Sequence, residues 1–161
     1  MYWLAWIEQS PLGLWVRESV WGFPISLTLH AFGMAFLVGG NIVLALRALG
    51  YASGIPLVSL PGLLPLIRSA AWLALVSGLL LLTAYPAKSL TNPLFYFKLS
   101  CISVALFLMR DLGKVLLTPY PDVAWLRRRG IILLVLWAAS ITAGRFLAYT
   151  YSVLTIADRY F

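Results

Sequence analysis

Charge, histidine and cysteine are all scarce in this chain, and each scarcity removes a class of function. Only 11% of the 161 residues are charged, against 62% hydrophobic ones, whereas soluble domains carry about 25% charged residues. With a mean hydropathy of +0.93, the composition is that of an integral membrane protein; at this length one membrane domain is expected, with no room for a separate soluble catalytic domain. A single cysteine, Cys101, permits no disulfide within the chain and no multi-cysteine metal site. The five acidic residues are Glu8, Glu18, Asp111, Asp122 and Asp158. None lies plainly in mid-membrane, which argues against a carboxylate-based proton pump. There is no Gly-rich phosphate loop, nucleophile elbow or pair of catalytic carboxylates. The net charge of +7 does not signify nucleic acid, because the arginines stand at the ends of apolar segments and not in one continuous patch.

What is present is long apolar sequence. Four stretches reach the roughly 20 residues that a spanning helix requires: about 21–46, 65–85, 93–117 and 130–156. Glycines and prolines punctuate the connections, among them Gly50, Gly54, Pro56, Pro86, Pro93 and Pro119. The expected fold is all-α, a four-helix bundle embedded in the lipid bilayer. Residues 1–20 differ from the rest: Trp3, Trp6 and Trp15 stand among Glu8, Arg17 and Glu18, with Trp21 following. This mixture is too polar to span and reads as an interfacial segment with its indoles at headgroup level. Ser10 before Pro11 is a suitable N-cap and first-turn proline for a short helix there. The segment begins without a basic residue, so it is expected to be retained and not cleaved as a signal peptide.

Orientation follows from the cations. Arg47, Arg68, Arg110, Lys114, Arg127, Arg128 and Arg129 fall on one side, while Arg17, Lys88 and Arg159 fall on the other. The positive-inside rule then places both termini outside the cytoplasm, on the periplasmic side of a bacterial inner membrane.

His30 is the only histidine, and it lies inside the first long apolar stretch. It stands nine residues after Trp21, roughly 14 Å along a helix with a rise of about 1.5 Å per residue. That is near the middle of a hydrocarbon core about 30 Å thick, where an ionisable side chain points to function by default. Lys98 is expected about 8 Å in from the same side, and Arg145 about 16 Å deep with a stem able to snorkel outward. An imidazole can ligate haem iron, and two cations can pair with its propionates. Ser26, His30, Gly33, Leu37 and Gly40 follow helical spacing, so a macrocycle could lie against the glycines. The competing reading of those glycines is close helix packing, which favours small residues in membranes. His30 could equally be a buried histidine satisfied by a serine or a backbone carbonyl. Lys98 and Arg145 could be interfacial anchors, and Asn41 could hydrogen-bond across helices. Zinc would need more ligands than one histidine and one cysteine supply. A copper site drawing on His30, Met34, Met109 and Cys101 does not converge.

The segments LTLHAFGMAFLVGGNIVLALRALG, NPLFYFKLSCISVALF and TAGRFLAY together resemble a group of bacterial four-helix membrane proteins. Their layout is similar to that of HemJ-type protoporphyrinogen oxidases and of the membrane domain of CopD-type copper proteins. His30, and Lys98 followed by Leu99, match a histidine early in the first helix and a lysine in a W-x-x-K-L-like motif in the HemJ type. The resemblance implies haem b binding more than it implies porphyrinogen oxidation. Two departures stand out: the aromatic N-terminal segment is additional, and no second histidine exists to make a bis-histidine haem. The iron would be five-coordinate, or would take Lys98, Met34, water or a partner residue as its sixth ligand. The site expected from these readings comprises His30 as metal ligand with Gly33, Lys98 and Arg145 around the cofactor. Three functions compete: an electron-transfer subunit linking quinone to a periplasmic or membrane redox partner, a porphyrinogen-oxidising enzyme, and a non-redox structural or assembly subunit.

Overall fold

The structure, a computed structural model, describes residues 2–56, 59–118 and 122–150. The described residues form helices and turns only: α1 (Tyr2–Glu8), α2 (Pro11–Glu18), α3 (Gly22–Leu49), α4 (Leu60–Ala84), α5 (Pro86–Leu90), α6 (Pro93–Val115) and α7 (Val123–Tyr149). Four of these, α3, α4, α6 and α7, are long and apolar enough to cross a membrane. The chain is an all-α, multi-pass membrane protein.

Local chemistry sets the ends of these helices. Ser10 caps α2 as expected, its Oγ accepting from the Gly13 N–H at 3.1 Å ahead of Pro11. α3 stops at Gly50, whose φ of 90° is the left-handed conformation that glycine adopts without Cβ strain. Asn92 caps α6, Oδ1 accepting from Leu94 N–H at 2.9 Å. At α7 the structure corrects the expected start at residue 130: Asp122 Oδ1 accepts from the N–H groups of Ala124 and Trp125, so helix begins at Val123 and Arg127–Arg129 lie within its opening turns. The arginine run is helical because a cap precedes it, and Arg129 lies over the Trp125 ring at 4.9 Å. At the other end α7 stops at Tyr149, with Thr150 extended; the remaining residues of the expected span, 151–156, lie outside the described residues, as do Tyr151, Asp158, Arg159, Tyr160 and Phe161.

α3 is the central helix. It packs along α4 on one side and α7 on the other, α7 packs along α6, and α3 meets α6 only briefly. α4 and α6 share no comparable seam among the described residues, so the bundle runs α4–α3–α7–α6 with an open side. Small residues sit at the crossings, as membrane helix packing favours. A Cβ on Gly33 would stand 2.6 Å from the Ala74 nitrogen, and one on Gly130 would stand 3.1 Å from the Ala45 carbonyl. Both seams are therefore backbone contacts.

The apolar core fills only one half of the bundle. It joins Leu37 and Leu44 of α3, Ile67 of α4, Leu108 and Leu112 of α6, and Leu133 and Trp137 of α7, next to the basic connections. Outward-facing positions such as Phe32, Phe36, Trp72, Leu79, Phe107 and Val135 are exposed and make the surface that lipid would cover. At the end opposite the basic connections, α1 and α2 lie against the bundle. A Cβ on Gly13 would stand 2.8 Å from the Thr83 carbonyl of α4, and Arg17 pairs with Glu8 at 2.8 Å. Trp3, Trp6, Trp15 and Trp21 are all exposed at this aromatic end, the disposition expected of indoles at a membrane interface.

Candidate functional site

Beyond the apolar core, towards the aromatic end, the helices turn small or polar residues inward: Ser26 and His30 of α3, Ala74 and Ser77 of α4, Cys101 of α6, and Ser140 and Ala143 of α7. His30 is half-buried there. Its Nδ1 lies 2.9 Å from the Ala74 carbonyl and 3.3 Å from Ser77 Oγ. A carbonyl can only accept, so Nδ1 carries the proton, and in the neutral ring Nε2 keeps its lone pair. Ser77 donates its own hydroxyl back to the Leu73 and Ala74 carbonyls of its helix. The ring reaches the α4 backbone because Gly78 has no side chain: a Cβ there would meet His30 Cε1 at 3.1 Å and Nδ1 at 3.3 Å.

Lys98 comes from α6, on the stripe that continues through Cys101, Ala105, Leu108 and Leu112 into the bundle. Its stem lies along α7 at Gly144, where a Cβ would stand 3.4 Å from Nζ and 3.5 Å from Cε. Lys98 makes no hydrogen bond or ion pair among the described residues. Among the described residues, its charge bears on the His30 ring. His30 is thus held against α4 with a cation from α6 nearby, where α4 and α6 stand apart.

The other two expected site residues do not join them. The Gly33 face is occupied by Ala74, so Gly33 serves the α3–α4 contact and leaves no slot at that level. Arg145 is exposed, one residue past Gly144 and so about 100° around the helix from the Lys98 stem. It stands four residues before the end of α7 at Tyr149, about 6 Å in and not the expected 16 Å. Gly78 and Gly144 each make room for a side chain of another helix, His30 and Lys98 respectively; of the two, Gly144 went unassigned in the sequence. The signal for Gly144 is its place one turn beyond Ser140 and Trp137 on the inward stripe of α7.

Asn41 Oδ1, Trp137 Nε1 and Ser140 Oγ are buried without hydrogen-bond partners among the described residues. Asn41 is occupied on its amide side only, Nδ2 donating to the Leu37 carbonyl of its own helix at 2.7 Å. Among the described residues, no cluster of three or more His, Cys, Asp or Glu side chains could hold a metal ion.

For a haem, this donor set fits in part. His30 offers one free imidazole nitrogen and Lys98 one counter-charge for a propionate, whereas the closed Gly33 face and the outward Arg145 supply nothing. His30 and Lys98 both lie towards the side where α4 and α6 share no comparable seam among the described residues. No protein-family model, curated protein or solved structure matches the chain.

Proposed function

We propose that this chain is a membrane haem b-binding protein in which His30, the only histidine, would hold the iron through Nε2. The observation that carries this reading is the Nδ1–H bond of His30 to the Ala74 carbonyl. A ligating histidine characteristically donates its other ring N–H to a carbonyl or carboxylate, which fixes the tautomer and aims the free nitrogen. Lys98 holds a positive charge where a propionate would need one. Haem would supply one-electron redox chemistry there; His30 and Lys98 would bind and orient it.

In this reading the protein is an electron-transfer subunit. The positive-inside rule puts Arg47, Arg68, Arg110 and Arg127–Arg129 in the cytoplasm of a bacterium and both termini in the periplasm. The exposed Trp3, Trp6 and Trp15 then form the face offered to a periplasmic or membrane redox partner, with quinone as the membrane-side reactant.

A second reading, oxidation of a porphyrinogen, draws support from the same open side, since an apolar tetrapyrrole could enter from lipid between α4 and α6. It predicts that the gene rescues a strain unable to oxidise protoporphyrinogen and that Lys98→Ala removes the rescue. The test of the main reading is the absorption spectrum of the purified full chain. A Soret band that persists in Ser77→Ala and disappears in His30→Ala supports it, and a haem-free wild type overturns it in favour of a structural or assembly subunit.

A further inference from the structure

At the basic end of the bundle a cavity of about 220 Å³ lies between the last turn of α3, the residue that follows α6 and the opening turns of α7. Leu49, Leu116, Val123 and Leu126 give it apolar walls, and both Arg47 and Arg127 line it. Arg47 stands in the last turn of α3, which stops at Gly50. The chain then turns back, and the Ile55 carbonyl accepts from Arg47 Nε at 3.1 Å. That bond holds the half-buried guanidinium in place and leaves its two terminal NH2 groups free to donate. Arg127 is exposed on α7, in helix because Asp122 caps the turn before it.

No described carboxylate neutralises either guanidinium, since the ion pairs among the described residues are those of Arg17 with Glu8 and Glu18. Asp122 accepts from the N–H groups of Ala124 and Trp125, and Asp111 stands five residues before Leu116. The residues between the described segments, Leu57, Val58, Pro119, Tyr120 and Pro121, carry no charge. The remaining acid, Asp158, is eight residues past Thr150, a reach of at most about 28 Å. Arg127 stands 22 residues before Tyr149, about 33 Å along the helix.

Two arginine forks on one small cavity match the oxygens of a phosphate. The apolar walls beside them suit a phosphate that brings hydrocarbon with it, and do not suit a free ion. Small-molecule sites run to roughly 300–1,000 Å³, so this volume takes a headgroup and not a nucleotide. Basic pockets between the ends of spanning helices are where anionic headgroups bind.

We propose that this pocket binds the phosphate of one anionic phospholipid from the leaflet at the basic end. Arg47 and Arg127 hold the phosphate, and the glycerol lies against the apolar walls. Arg68 and Arg128, exposed at the same end but outside the pocket, take no part. The site is independent of His30 and of haem.

The test offers the full chain, purified in mild detergent, equimolar phosphatidylglycerol and phosphatidylcholine with identical acyl chains, and counts retained lipids by native mass spectrometry. The wild type should retain phosphatidylglycerol with a preference on the order of tenfold. Arg47→Gln with Arg127→Gln should bring the preference close to parity. Arg68→Gln with Arg128→Gln removes the same charge from the same end and should leave the preference within about twofold of the wild type. Val123→Trp narrows the pocket from an exposed position without altering charge, and should also abolish the preference. Arg127→Gln alone, at an exposed site, should lower it about threefold, which reads binding even if losing the Arg47 bond to Ile55 disturbs the fold. Equal retention of the two lipids by the wild type would overturn the proposal. So would equal losses in the two double variants, the mark of unspecific charge attraction, or displacement of phosphatidylglycerol by millimolar inorganic phosphate, the mark of a free-anion site.

Discussion

The imidazole of His30 is tied to the backbone carbonyl of Ala74 on the neighbouring helix, Nδ1 to oxygen at 2.9 Å. A carbonyl within a helix has already accepted one bond, and its second lone pair is the one available to a neighbour. The contact is possible because Gly78 lets the ring approach and because Gly33, one turn along from His30, lets the two backbones meet at Ala74. One seam therefore both joins α3 to α4 and aims the imidazole.

Gly33→Ala should be costly. The added methyl would stand 2.6 Å from the Ala74 nitrogen and 2.9 Å from its Cα, and backbone atoms cannot rotate away. Overpacking of this kind costs about 1–3 kcal/mol, readable as a lower unfolding midpoint in a denaturing-detergent titration. Trimming the neighbour in an Ala74→Gly double variant should not restore stability, since the clash is with backbone. Gly40→Ala should be costly as well, because its methyl would overlap Cγ1 and Cδ1 of the buried Ile67, and Cγ1 moves only with χ1, which is restricted for a β-branched residue in a helix. A Gly33→Ala protein as stable as the wild type would contradict this picture of the seam.

Asn41→Leu should be close to neutral or stabilising. The residue is fully buried with Oδ1 unpartnered, and replacing an unsatisfied buried polar group by an apolar one of similar shape removes a desolvation penalty of about 1–3 kcal/mol. The same detergent titration checks this. A loss of more than about 1 kcal/mol would mean that the amide has a partner, with the buried Trp137 Nε1 and Ser140 Oγ the first to consider.

Orientation is open to direct labelling, because the one native cysteine, Cys101, is buried. Cysteines placed at the exposed positions Gln9 and Ser53 lie at opposite ends of the bundle. A membrane-impermeant maleimide should reach Gln9→Cys in intact spheroplasts and Ser53→Cys only after permeabilisation. The reverse pattern would place the basic end in the periplasm.

Lys98→Met keeps the stem that lies along Gly144 and removes the charge. Folding should change by less than about 1 kcal/mol, since the ammonium has no bonded partner among the described residues. Haem retention through purification should fall, and the reduction potential of the haem that remains should move downward, because a cation near the site favours the electron-rich form. An unchanged potential and full retention would remove Lys98 from the site.

Much of the fold was legible in the sequence, and for a plain reason: a bilayer demands about 20 apolar residues per span, and little else in a chain of this length produces them. The starts of α3 and α6 fell within a residue of their expected places because Trp21 and Pro93 mark them. The start of α7 did not, since three adjacent arginines look like a loop unless the capping Asp122 is given more weight than the charges that follow. Depth along a helix was legible for Lys98, whose helix start was right. It was not legible for Arg145, because the apolar stretch runs on to Ile156 whereas α7 ends at Tyr149. Direction around the helix was the harder quantity. His30 and Lys98 both lie on inward stripes, but the spacing of Ser26, His30 and Gly33 could not say whether Gly33 faced a ligand or another helix. That depends on which residue of α4 stands opposite, and Ala74 is far away in sequence.

If His30 holds a haem iron, it does so through the ring nitrogen that Ala74 leaves free. The most direct measurement is the oxidised and reduced absorption spectrum of the purified full chain beside that of His30→Ala. A b-type spectrum is expected in the wild type and is expected to be absent from a folded His30→Ala protein. A wild type without chromophore, or a His30→Ala protein that keeps the full band, would contradict it.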